Sequence, residues 1–111
     1  MEYINIDTLA SGSLDNTIQI WRISTGATLR TINVNQWVLS LKLLVNGFYL
    51  AAGLQNGNIC IYNINDGSLV STLIGHTDQV YDLELIGSDL LASASRDRNV
   101  RVWNLIRINL F

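Results

Sequence analysis

The stretch from Gly75 to Asn104, GHTDQVYDLELIGSDLLASASRDRNVRVWN, decides the fold. A Gly-His pair stands ahead of two runs in which apolar and polar residues alternate, Gln79 to Leu85 and Leu90 to Ser95. Arg96-Asp97 follows them as a turn, and a third alternating run, Asn99 to Asn104, carries Trp103 near its end. A period of two is the pattern of a β-strand whose faces meet different surroundings, and short polar interruptions between such runs are hairpin turns. Working outward, LASASRDRNVRVW (91–103) aligns without a gap to LAAGLQNGNICIY (50–62) and to LASGSLDNTIQIW (9–21). Leu9, Leu50 and Leu91 stand 41 residues apart, as do Trp21, Tyr62 and Trp103.

This repeat resembles the WD40 unit, in which about 40–45 residues make four short strands and each unit is one blade of a propeller. The resemblance implies an all-β fold, a partial WD40 β-propeller of antiparallel four-stranded blades, one of them complete and two incomplete. Residues 1–111 form a single repeat region: blade one spans 1–32 and is incomplete, blade two spans 33–73 and is complete, and blade three spans 74–111 without a regular fourth strand. The chain holds about 2.7 units, whereas propellers close with about 4–8 blades. We therefore expect a segment of a longer propeller, or a chain that needs further blades from other copies. Its end faces would be apolar, with Tyr3, Ile4 and Ile6 at one end and Ile106, Ile108, Leu110 and Phe111 at the other.

In order, strands are expected at Leu9–Ser13, Thr17–Trp21 and Ala27–Ile32, then Trp37–Leu44, Leu50–Leu54, Asn58–Tyr62 and Ser68–Leu73, then the three of the opening stretch. Residues 1–8 read as the stub of an earlier strand. Leu14-Asp15-Asn16, Asn46-Gly47, Asn56-Gly57 and Asn65-Asp66-Gly67 are turn sequences, because Asx side chains bond their own backbone and Gly accepts positive φ. After Leu105 the pattern fails: Ile108 stands where Gly26 and Gly67 predict a third glycine.

Composition narrows the function classes. The 111 residues carry a formal net charge of −2 with seven basic residues placed singly, which leaves no basic footprint for nucleic acid or an anionic membrane. One cysteine, Cys60, excludes an internal disulfide, and no His or Cys stands near it at metal-ligand spacing. Cys60 reads as a small apolar filler between blades. Asp78, Asp82 and Glu84 lack the ligand density of a calcium loop. Neither a signal peptide nor an apolar run of about 18 residues is visible, so the expected place is cytoplasm or nucleus. No cofactor and no metal are expected.

The resemblance also implies a hydrogen-bonded tetrad of His76, Ser93, Asp97 and Trp103, in which Asp97 accepts from His76, His76 from Ser93, and Ser93 from the indole. Blade one keeps Ser11, Asp15 and Trp21 of this set, and blade two has Asn35, Ala52, Asn56 and Tyr62 at the four places. The same residue types spell a hydrolase triad, but Ser93 lies inside an alternating strand without the G-x-S-x-G context of a strained nucleophile elbow.

Propellers of this kind dock partners on the face made by the inner-strand starts and the turns before the third strand. The matching positions are Leu14, Trp37, Leu39, Gln55, Gln79, Tyr81 and Arg96. Aromatic residues with an arginine are the composition of interface hot spots. The expected function is a scaffold that binds a protein or peptide in a multiprotein assembly, not an enzyme. The alternatives are phosphopeptide recognition, for which several converging arginines would be needed, and, more remotely, a Ser/His/Asp hydrolase.

Overall fold

The computed structural model describes residues 2–5, 8–12, 15–44 and 48–108, with the backbone alone for residues 3–5, 8, 9 and 108. Strands β1 (Glu2–Asn5), β2 (Thr8–Gly12), β3 (Thr17–Arg22) and β4 (Thr28–Asn33) form one antiparallel sheet in chain order. A second sheet follows from β5 (Val38–Leu43), β6 (Tyr49–Leu54), β7 (Ile59–Asn63) and β8 (Leu69–Leu73), again in chain order. The third sheet has three strands, β9 (Val80–Ile86), β10 (Leu90–Ser95) and β11 (Val100–Asn104), with β10 in the middle. Strand β1 is four residues long where β5 has six and β9 seven. The segment after β11 is a 3-10 turn, Leu105–Ile108, where a fourth strand would continue the pattern; residues 109–111 lie outside the described residues.

The turns repeat along with the strands. Asp15, Asn56 and Asp97 each accept, through a side-chain oxygen, the backbone N–H two residues on, from Thr17, Asn58 and Asn99 at 3.1, 2.9 and 2.9 Å. The residue after each takes positive φ: Asn16 at 73°, Gly57 at 97° and Arg98 at 73°. Glycine is required in the middle case, because a Cβ there would come within 2.5 Å of the His76 carbonyl. The β3–β4 and β7–β8 turns use Gly26 and Gly67 at φ 69° and 76°.

Two apolar layers hold the three sheets face to face. Ala10, Ile18, Ile20 and Ile32 of the first sheet are buried against Leu50, Ala52 and Leu54 of the second. The other face of the second sheet, with Ala51, Ile59 and Ile61, packs on Val80, Leu83 and Leu91 of the third. Full burial of each Ile, Leu or Val among them contributes about 1.5–3 kcal/mol. The sheets meet closely at two glycines. A Cβ on Gly12 would fall 2.5 Å from Val38, and one on Gly53 would fall 2.8 Å from Val80.

Among the described residues nothing covers the outward face of the third sheet in this way. Val100 and Val102 are 71% and 57% exposed, while Ile59 and Ile61, at the matching places one repeat earlier, are fully buried. Among the described residues β11 is also an edge strand, paired by β10 on one side only.

Candidate functional site

The end of the third sheet gathers the polar residues of the opening stretch. His76, in the approach to β9, sends Nδ1 to Asp97 Oδ2 at 2.8 Å and Nε2 to Ser93 Oγ at 2.7 Å. The Trp103 indole N–H donates to the same Ser93 oxygen at 2.9 Å. Each atom then has one role: Nδ1–H donates to the carboxylate, Nε2 accepts the hydroxyl proton, and Ser93 Oγ accepts the indole proton. Alternation along β10 and β11 points Ser93 and Trp103 to the same face, and their strands are in register there. Gly75 explains the Gly-His pair, since a Cβ on it would meet Trp103 and Arg101 at 3.0 Å. The His76 and Trp103 rings meet edge-on, with centroids 6.4 Å apart and planes at 65°.

Asp97 is the electrostatic centre of the cluster. Burial by itself would raise its pKa, but the His76 hydrogen bond and the Asn99 and Thr77 N–H groups favour the carboxylate and hold it down at about 2. Ser95 joins from the same face of β10, a contribution the sequence reading missed. Its hydroxyl donates to the Asp78 carbonyl at 2.9 Å and accepts the Asp97 N–H at 3.1 Å. The signal was available in Ser93-Ala94-Ser95, where two hydroxyls two residues apart share one face of a strand.

The other sheets carry less of this network. In the first, the Trp21 indole donates to Ser11 Oγ at 2.9 Å, and Asp15 accepts from the Thr17 hydroxyl at 2.6 Å. In the second, Asn35 is exposed at φ 68°, a turn residue that does not take the place of His76. Val34 stands at the place of Gly75 and Tyr62 at that of Trp103, so bulk has moved from the ring to the facing backbone position. Cys60 replaces the long Gln19 and Arg101 of its neighbours, and a groove of about 430 Å³ opens beside it, lined among others by Arg30, Val34, Asn35, Leu54 and Tyr62. Burial pushes the Tyr62 phenol up to about 12, with Cys60 adding to the shift.

The candidate docking residues fall at one end of the sheets. The Gln55 N–H donates to the Trp37 carbonyl at 3.1 Å and the Arg96 N–H to the Gln79 carbonyl at 2.9 Å, so each inner-strand start is tied to the turn before the third strand in the same way. Leu39 and Tyr81 follow two residues along, on β5 and β9. Trp37 is 41% and Tyr81 57% exposed, and Arg96 is exposed beside them in register. Leu14 lies outside the described residues. Deeper along the inner strands Lys42 bonds Glu84 at 3.0 Å, and this contact raises the lysine pKa. Among the described residues no group of three or more His, Cys, Asp or Glu is placed to hold a metal ion. No helix among them is long and apolar enough to cross a membrane.

Stacked antiparallel sheets that repeat every 41 residues, with a Trp–Ser–His–Asp chain at one end, define a β-propeller built of WD repeats. The WD domain, G-beta repeat family model matches residues 5–22 and 67–104, and the chain belongs to this family. The unmatched interval contains most of the second sheet, which has none of the four tetrad residue types at the matching places. WD repeat and SOCS box-containing protein 1 is 38% identical over 93 residues in Danio rerio and 36% in Homo sapiens, in each case over 78% of this chain and 22% of the relative. Protein SPA1-RELATED 3 of Arabidopsis thaliana is 30% identical over 87% of this chain and 12% of its own. The chain thus spans about a fifth of the length of the first of these relatives. Among solved structures, U3-55K superposes with a TM-score of 0.87 at 28% identity, covering 96% of this chain and 35% of that one. The RRP9 WD40 repeats give the same TM-score and identity over 96% and 34%. Proteins of this family are generally interaction scaffolds rather than enzymes.

Proposed function

We propose that the chain is a WD40 propeller segment that binds a protein or peptide through the end bearing Trp37, Leu39, Gln55, Gln79, Tyr81 and Arg96, and so serves as a scaffold in a cytoplasmic or nuclear assembly. The observation that carries this reading is the exposure of Trp37 and Tyr81 at one rim of adjacent sheets, on backbone held by paired turn-to-strand hydrogen bonds. Large aromatic side chains on a pre-set frame contribute much of an interface's energy at little conformational cost. The test is a peptide selected from a random library against the wild-type chain. Trp37→Ala or Tyr81→Ala should weaken its binding by more than about 1 kcal/mol while far-ultraviolet circular dichroism is unchanged. Unchanged affinity in both variants would sink the reading.

Phosphopeptide recognition is the second reading. Arg96 is the one arginine among the candidate docking residues, whereas a phosphate is best held by several converging donors. Binding of one peptide with and without a phosphoserine, to wild type and to Arg96→Ala, separates the two readings. The Ser93, His76 and Asp97 geometry does not favour hydrolysis. Ser93 is 2% and His76 4% exposed, and the indole N–H occupies a lone pair on the would-be nucleophile. Ester turnover by wild type that vanishes in Ser93→Ala would overturn this.

A further inference from the structure

The hairpin that joins β10 to β11 concentrates the positive charge of the chain. Arg96, Arg98 and Arg101 supply three of the seven basic residues, with Asp97 as the one carboxylate among them, which leaves four basic and eight acidic residues for the remainder. Arg96 and Arg98 are exposed in the turn itself, and among the described residues neither guanidinium has a carboxylate at ion-pair distance. The nearby acids are engaged elsewhere. Asp97 accepts from His76 Nδ1 at 2.8 Å and from the Thr77 and Asn99 N–H groups at 3.1 and 2.9 Å, and Asp78 accepts the Gln79 N–H at 2.7 Å. The turn backbone is fixed by the Arg96 N–H on the Gln79 carbonyl at 2.9 Å and the Arg98 N–H on the Ser95 carbonyl at 3.2 Å. Arg98 holds φ 73° where the other two repeats place Asn16 and Gly57, residues that adopt a left-handed backbone at less cost than arginine. Backbone strain of this kind clusters where side chains bind ligands.

We propose that this turn selects the partner of the rim: Arg96 and Arg98 each take a carboxylate of an acidic peptide segment whose apolar side chains lie on Trp37 and Tyr81. The proposal rests on the protein-binding reading above and adds to it Arg98 and the charge of the ligand. Each guanidinium offers parallel N–H donors that match a carboxylate. Two cations on either side of Asp97 suit two acidic side chains of one segment, whereas a single phosphate asks for donors that converge on it. The anchored backbone limits the freedom lost on binding.

Peptides selected from a random library against the wild-type chain test this by their sequence and by exchange. They should be enriched in Asp and Glu beside an aromatic or aliphatic residue, and a copy of the tightest with its Asp and Glu replaced by Asn and Gln should bind about tenfold more weakly. Arg96→Gln and Arg98→Asn should each weaken the acidic peptide by about threefold and leave the neutral copy unaffected. Arg107→Gln, the same loss of charge beyond the far end of β11, should change neither. Arg98→Asn relieves the backbone, so its weaker binding is not unfolding; circular dichroism checks Arg96→Gln. Selected peptides without acidic residues, equal binding of the two copies, undiminished affinity in Arg98→Asn, or an equal effect of Arg107→Gln would overturn the proposal and leave the protein-binding reading in place. A gain of about tenfold on placing one phosphoserine for a Glu overturns it in favour of phosphopeptide recognition. Affinity insensitive to both Trp37→Ala and Tyr81→Ala, or a library that yields no binder, sinks the reading and the proposal together.

Discussion

His76 joins the Ser93 hydroxyl, whose proton it accepts, to the Asp97 carboxylate, to which it donates. Its removal in His76→Ala strands the Ser93 hydroxyl beneath the third sheet, and an unsatisfied buried group costs about 1–3 kcal/mol. Urea midpoints should fall accordingly. Asn35 stands at the repeat-equivalent place but is exposed with φ 68°, so Asn35→Gly should be close to neutral, while Asn35→Ala should cost about 1 kcal/mol through backbone strain alone. Equal losses for His76→Ala and Asn35→Gly would contradict the hydrogen-bond chain. The Asp97 carboxyl gives a second handle. Its folded pKa of about 2 lies below the ordinary value, so the stability it supplies is complete above about pH 4 and fades as pH falls toward about 2. The part of the stability gap between wild type and Asp97→Asn that the carboxylate supplies should close between about pH 4 and 2. At this scale the His76, Ser93, Asp97 and Trp103 set was legible through the resemblance to the WD40 repeat, since the residue types alone also spell a hydrolase triad. For Ser95 the alternation marks the face but not the partner, which is the backbone carbonyl of Asp78.

The strands lie within a residue or two of the places their alternation indicates, because a pleated strand with different faces must alternate. The tail behaves differently. Leu105 is fully buried and its N–H is taken by the Asp89 carbonyl at 2.8 Å, so the chain turns in a 3-10 helix after β11. Without a glycine at 108 the sequence could indicate that the repeat stops, but not what replaces it. The hairpin turns offer a sharper test. Arg98 holds φ 73° where the other two repeats have Asn16 and Gly57, and a side chain that is neither Gly nor Asn pays for that conformation. Arg98→Asn should raise the thermal midpoint, with a gain of about 1 kcal/mol. No gain would mean that the Arg98 backbone is held without strain.

Across the whole molecule, the sheets are tied by side chains as well as by the apolar layers. The Arg30 guanidinium on β4 donates to the Asn65 and Asp66 carbonyls at 2.6 and 3.1 Å, joining the first sheet to the β7–β8 turn of the second. Ser40 donates to the Val80 carbonyl at 3.1 Å between the second and third. Arg30→Lys keeps the charge but not the two-pronged donor, and should speed proteolysis near Gly67 while leaving the third sheet's amide protection unchanged. Such ties were not legible in the sequence, since they depend on how far apart the sheets stand and not on any local pattern.

The second sheet is covered on both faces and its neighbours on one, and this has a consequence in time. Every contact between sheets joins segments about one repeat apart along the chain, and stability in such arrays is close to a sum of units and nearest-neighbour couplings. Among the described residues the second sheet alone has two couplings. Opening should therefore start at the outer sheets and reach β6 and β7 last, so that the slowest-exchanging amides are those of Leu50 to Leu54 and Ile59 to Tyr62. The sheet that has lost most of its polar network would then be the last to come apart, held by neighbours rather than by its own hydrogen bonds.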